Sequence, residues 1–199
     1  MEHAPLTQPS AAGPKAPSRE AVLALLHEHT ETPGLRKHAL AVEAAMRAYA
    51  RKLGGDEELW GVTGLIHDFD YEKHPTPAEH PFFGCRVLEE RGYPREMIDA
   101  ILGHATYSGT PRVTPMAKAL FAVDELCGLI TATALVQPGK TLAEVSADSV
   151  LKKMRSKGFA RGVNREDIDL GAAELGVPLE EHVDTVLVAL QGASGTLGL

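Results

Sequence analysis

The stretch GVTGLIHDFDYEK, residues 61–73, places a histidine and two aspartates where an apolar helix ends. Isolated buried charge is costly, so the grouping of His67, Asp68 and Asp70 directly after apolar residues has two interpretations. In one, this is an ordinary helix end and the aspartates face water. In the other, the residues form a metal site, where a cation makes the same grouping favourable.

The segments around this stretch carry the signals of further helices. Asp56, Thr114 and Asn164 are placed to cap helices, and the Thr114 helix is long and apolar. Gly61 and Gly64 lie inside a helix, where each costs roughly 1 kcal/mol relative to alanine, which predicts close approach of a neighbouring helix. Alternating strand patterns are missing. The sequence therefore predicts an all-α fold, a compact helical bundle of about eight or nine helices.

The length of 199 residues suits one domain with a sizeable core. Residues 1–17 are rich in proline, alanine and serine, which predicts a disordered tail. Residues 18–199 are predicted to form a single helical domain, with its core in 20–136 and C-terminal helices in 141–192.

Bulk properties argue against several classes of protein. The net charge of −7 without a basic stripe argues against nucleic acid as a partner. Cys85 and Cys127 lack metal or disulfide spacing and are expected to be small core residues. No stretch reaches the roughly 20 apolar residues of a membrane span, and the first residues do not resemble a signal peptide. We therefore expect a cytoplasmic protein without a membrane partner; the sequence does not predict its oligomeric state.

The nine histidines fall into two kinds. His27, His29 and His182 lie next to glutamates and are predicted to be solvated helix positions. Others lie in or at the ends of apolar helices, and Asp124 lies inside the apolar stretch LFAVDELCG, where a carboxylate is expensive unless it is paired or bound to metal. Helical bundles build metal sites from such side chains on facing helices. The candidate ligands are His38, His67, Asp68, His80, His104 and Asp124.

The order of His38, the His67-Asp68 pair and Asp124 in a helical chain resembles the H…HD…D signature of the HD-domain superfamily of metal-dependent phosphohydrolases. The similarity extends over about residues 20 to 130 and is greatest to small bacterial predicted hydrolases. It implies that His38, His67 and Asp124 hold one ion and that Asp68 bridges this ion to a second.

Two further segments, HPFFGCRVLEERG and IDAILGHATYSG, resemble those that supply two more histidines in two-metal members. Here these residues are His80 and His104, which would hold the second ion. The ligand types suit Fe, Mn, Zn, Co or Ni, with Mg also considered. The chain departs from many members after the HD pair, where Phe69-Asp70-Tyr71 stands in place of Ile-Gly.

The resemblance implies a catalytic role for Asp68, and two nearby residues are further catalytic candidates. Asp70 is predicted either to orient a ligand imidazole or to act as a general acid or base, the alternative being a helix cap that faces water. Lys73 is predicted to neutralise a substrate phosphate, the alternative being a surface lysine.

A second cationic group lies in the segment KKMRSKGFARGVNRED. Arginine grips phosphate with two hydrogen bonds, so Arg155, Lys157 and Arg161 are predicted to bind substrate. Arg161 is preferred because it lies between glycines. The alternative is a solvated helix followed by a turn.

Three functions are compatible with these residues. The first is a phosphohydrolase that cleaves a small phosphate ester, nucleotides included, with a hydroxide shared by two ions. The second is a mixed-valent di-iron oxygenase, since some two-metal members of the superfamily resemble such enzymes. The third is a non-catalytic ligand-binding protein.

Overall fold

The structure of the protein is a computed structural model that describes residues 16–156 and 158–199. The predicted tail lies outside the described residues up to residue 15, as does Lys157. The described ranges contain α-helices and two short 3-10 helices, without strands, so the all-α prediction is confirmed. The α-helices are α1 (Arg19–His29), α2 (Pro33–Leu53), α3 (Glu57–Ile66), α4 (Phe82–Glu90), α5 (Arg95–His104), α6 (Pro115–Leu135), α7 (Ala147–Met154), α8 (Arg165–Leu175), α9 (Leu179–Gly192) and α10 (Ser194–Leu197).

Polar side chains cap the helices that position the later site. The Asp56 carboxylate accepts hydrogen bonds from the amides of Glu58 and Leu59 at the start of α3. Thr114 accepts from the Ala117 amide at the start of α6, as the sequence predicts. Each cap satisfies amide groups that have no partner within the helix.

Two long helices, α2 and α6, form the centre of the bundle and pack against each other. α3 lies along α2, and α5 and α8 pack on α6. The buried apolar residues extend from Val22 in α1 to Leu197 in α10. None of the described helices combines the length and the apolar character that a membrane crossing requires.

Gly64 allows the close contact between α2 and α3. A Cβ atom at this position would lie 2.9 Å from the backbone oxygen of Val42 and 2.9 Å from the side chain of Met46. Backbone cannot yield as the end of a flexible side chain can, so any larger residue forces the helices apart. This contact confirms the predicted close approach and brings the end of α3 beside α2.

The prediction for His182 is wrong. Its side chain is fully buried. The Tyr49 hydroxyl donates to Nδ1 over 2.6 Å, and Nε2 donates to the carbonyl oxygen of Ala122 over 2.9 Å. With one donor and one acceptor as partners, the imidazole is neutral, and burial lowers its pKa to about 4. The neighbouring glutamates in sequence gave no sign of these partners on other helices.

Replacing Gly64 by alanine is expected to destabilise the protein by about 1–3 kcal/mol, because the methyl group overlaps the α2 backbone. Urea unfolding measures this change. Gly192→Ala is the matched control, since a Cβ there meets nothing within 4 Å. A Gly64→Ala protein as stable as the control would contradict the packing described for α2 and α3.

Neutral His182 makes stability depend on pH. The unfolded imidazole takes up a proton below its ordinary pKa of 6.5, whereas the folded one resists protonation down to about 4. The contribution is therefore complete above pH 6.5 and is lost as the pH falls towards 4, by about 3 kcal/mol. Urea unfolding between pH 7 and pH 4 should show this loss in the wild type and not in His182→Gln. Equal pH dependence of the two proteins would contradict the assignment.

Candidate metal centre

Six predicted ligands come together between α2, α3, α5 and α6. His38 lies in the first half of α2, His67 follows the last residue of α3, and Asp124 lies in the middle of α6. Helix ends supply the others: Asp68 is in the turn after α3, His80 precedes α4, and His104 is the last residue of α5. Their donor atoms form two groups, each able to hold a metal ion, and Asp68 belongs to both.

The first group contains four residues. The closest contact joins His38 Nε2 to Asp124 Oδ1, 2.9 Å apart. His67 Nε2 lies 3.4 Å from the same Asp124 oxygen and 3.5 Å from Asp68 Oδ2. The side chain of His67 is fully buried, whereas His38, Asp68 and Asp124 keep partial exposure towards a cleft.

The second group contains Asp68, His80 and His104. Asp68 Oδ1 lies 3.3 Å from His80 Nε2 and 3.2 Å from His104 Nε2. The two imidazole nitrogens are themselves 3.3 Å apart. The two oxygens of Asp68 thus face different groups, as expected for a carboxylate that bridges two ions.

Hydrogen bonds orient three of the imidazoles. His67 Nδ1 donates to the carbonyl oxygen of Gly64, and His104 Nδ1 donates to that of Ile101. His80 Nδ1 donates to Asp70 Oδ1 over 2.8 Å. In each ring the Nδ1 hydrogen is therefore engaged, and Nε2 points into the centre, where it could bind a metal ion.

The donors fit metal ions in two respects. His67 Nε2 and Asp68 Oδ1 are buried without a hydrogen-bond partner, which is costly for a polar atom unless another group satisfies it. Metal–ligand bonds of roughly 2.0–2.2 Å place neighbouring donors about 2.8–3.6 Å apart. The contacts described above, from 2.9 to 3.5 Å, lie in that range.

The electrostatics of the centre favour positive charge. Burial alone would lower the pKa of His67, but the carboxylates of Asp68 and Asp124 raise it to about 9. Burial likewise opposes ionisation of Asp124, yet His67 and His38 hold its pKa well below the ordinary value. A metal cation would replace the proton that these carboxylates stabilise on His67.

Asp70 orients a ligand. The residue is fully buried, and its two oxygens accept from His80 Nδ1 and from the Gly84 amide, at 2.8 and 2.7 Å. A helix cap that faces water is thus the wrong interpretation. Both oxygens are engaged and the residue does not line the cleft, so the geometry favours the predicted orienting role over that of a general acid or base.

The cationic residues predicted to bind substrate do not line the cleft as far as the structure describes them. Lys73 donates to the Glu28 carbonyl oxygen at the end of α1, over 3.0 Å. Arg155 lies beside Lys152 and Lys153 at the end of α7, and Arg161 is exposed in the segment before α8. Lys157 lies outside the described residues.

The cleft above the donors has a volume of about 340 Å³. Its walls contain residues that the sequence analysis did not select. Glu125 follows a predicted ligand in the same apolar helix, so its sequence neighbourhood offered a signal. Tyr71, Tyr107 and Asp167 offered none, because turn tyrosines and acidic residues in a first helical turn are common. The cleft is lined by Leu35, His38, Asp68, Tyr71, His80, His104, Ala105, Thr106, Tyr107, Asp124, Glu125, Gly128 and Asp167.

The fold is that of an all-α protein, and its two donor groups could hold metal ions. The family model of the HD domain matches residues 35–129, just under half of the chain and a range that contains all six donors; this match supports membership of the HD-domain superfamily. Searches of curated proteins and of solved structures found no match.

Replacing Asp70 by asparagine is expected to weaken binding of the second ion by roughly 10- to 100-fold, because His80 loses the carboxylate that fixes its ring. The first group does not include His80, so its affinity should change little. Calorimetric titration of metal-free protein with Mn²⁺ or Zn²⁺ measures both affinities.

Asp99→Asn is the control for this measurement, since Asp99 pairs with Arg95 on the surface of α5. Unchanged affinity for both ions in Asp70→Asn would contradict the orienting role. A loss confined to the first ion would contradict the division of the donors into two groups.

Proposed function

We propose that this protein is a metal-dependent phosphohydrolase that cleaves a small phosphate ester. The observation that carries the proposal is the pair of donor groups joined by Asp68 at the floor of an open cleft. The HD domain supports it, because the superfamily is one of metal-dependent hydrolases. Imidazole and carboxylate ligands without thiolates suit Mn, Fe, Co, Ni or Zn.

Two bound divalent ions supply a water molecule of lowered pKa and neutralise charge on phosphoryl oxygens. His38, His67 and Asp124 would hold one ion, His80 and His104 the other, and Asp68 both. The protein's own contribution is orientation. Buried hydrogen bonds to Gly64, Ile101 and Asp70 fix three imidazoles before any substrate arrives, so little reorganisation accompanies the reaction.

The cleft would lead the substrate to this floor. Asp68, Asp124, His38, His80 and His104 all contribute to the lining, while His67 is buried beneath them. A phosphate group at the floor would therefore meet ligand atoms from both groups, and the remainder of the substrate would lie between the cleft walls. The volume of about 340 Å³ suits a small molecule better than a polymer.

Hydrolysis of p-nitrophenyl phosphate and a nucleotide panel, with added Mn²⁺ or Fe²⁺, tests the proposal. His67→Ala and Asp68→Ala are expected to lower kcat/KM by more than about 100-fold, because each removes a donor from the centre. Asp99→Asn should retain activity. No turnover of any phosphate ester by protein that carries both ions would contradict the proposal.

Metal analysis and oxygen uptake separate this function from the two alternatives. The wild type should bind two ions, and His104→Ala should keep the ion of the first group. Oxygen consumption by the di-iron form would favour the oxygenase instead. Tight binding of a phosphate ester without turnover under any metal would favour a non-catalytic protein.

A further inference from the structure

The walls of the cleft carry two carboxyl groups beyond those of the metal ligands. Glu125, next to Asp124 on α6, and Asp167 in the first turn of α8 both line it. The side-chain amide of Asn164 donates to Asp167 Oδ2 over 2.7 Å. This hydrogen bond holds the Asp167 carboxylate in place on the cleft wall.

Among the described residues that line the cleft there is no lysine or arginine. Arg112 is a nearby cation, but its guanidinium is held by two hydrogen bonds to Glu174 and packs 3.7 Å from the ring centre of Phe121. It also donates to the Gly103 carbonyl oxygen. With these partners it is not available to a substrate.

The unpartnered atoms His67 Nε2 and Asp68 Oδ1 mark the end of the cleft where bound metal ions would attract an anion. Two divalent ions balanced by Asp68 and Asp124 leave two positive charges, which match a phosphate monoester dianion. The carboxyl groups of Glu125 and Asp167 then have no lysine or arginine beside them in the cleft lining. A substrate that is anionic throughout would be repelled by this wall.

We propose that Asp167 and Glu125 select a phosphate monoester that carries a protonated amine, an inference that rests on the proposed function. The phosphate lies at the metal ligands, and the ammonium group lies between the two carboxylates. Nucleoside triphosphates are poor substrates on this account, because their additional phosphates would face Glu125 and Asp167.

Two aromatic side chains at the cleft support recognition of a cation. Tyr71 is 42% exposed and Tyr107 is 52% exposed, although both line the cleft. Exposed tyrosine rings attract organic cations through their π faces. The tyrosines line the same cleft as the two carboxyl groups but come from other segments of the chain.

O-phosphoethanolamine and n-propyl phosphate test the proposal, since they differ only in an ammonium group in place of a methyl group. With Mn²⁺-loaded protein at pH 8, kcat/KM should favour phosphoethanolamine by roughly 10- to 100-fold, the range for a hydrogen bond to a charged group. Asp167→Asn and Glu125→Gln should each reduce this preference. Asp169→Asn, on the exposed surface of the same helix, should retain it.

Calorimetric binding of the same two compounds to the loaded protein gives a second readout. If both esters are cleaved equally well, or propyl phosphate is preferred, the result supports the phosphohydrolase proposal and contradicts the amine proposal. If neither is cleaved but phosphoethanolamine binds more tightly in an Asp167-dependent manner, the result supports the amine proposal and contradicts the hydrolysis of these esters. Equal binding without turnover overturns the amine proposal.

Discussion

Lone pairs that face one another inside a helical bundle are the constraint on which the site depends. The Nδ1 atoms of His80 and His104 are engaged in hydrogen bonds, so their Nε2 atoms face each other over 3.3 Å. Asp68 directs a carboxylate oxygen at the same point. Such an arrangement is repulsive unless positive charge lies between the atoms. The protein also holds these donors in place by other means.

One of these means is a local hydrogen bond at the end of a helix, which occurs at two of the histidines. His67 and His104 each stand at the end of a helix and donate to the carbonyl oxygen three residues earlier. The last carbonyls of a helix have no amide partner within it, so they are free to accept from a side chain. One hydrogen bond thus satisfies the helix end and aims the opposite ring nitrogen. This explains why metal-binding histidines at helix ends need little further support.

The sequence was sufficient for the fold and for the six donors. Helix caps such as Asp56 and Thr114 act through nearby residues, and the HD pair with His38 and Asp124 follows a recognisable order. The sequence was insufficient to predict the contact partners of side chains that reach distant parts of the chain. Lys73 lies close to Asp68 in sequence but reaches the end of α1. His182 looked solvated because Tyr49 and Ala122, its partners, lie at least 60 positions away.

The family model covers all six donors but not the whole wall of the cleft. Every metal donor lies within residues 35–129, whereas Asp167 lies on α8, beyond the matched range. Helix α8 nevertheless packs closely on α6, the helix that carries Asp124. A Cβ at Gly171 would lie 2.5 Å from the backbone of Ala122, two residues before Asp124. Close packing of α8 on α6 sets the position of Asp167 relative to the ligands as firmly as Gly64 sets that of His67. In such an arrangement the metal chemistry can stay constant while changes on α8 alter the substrate.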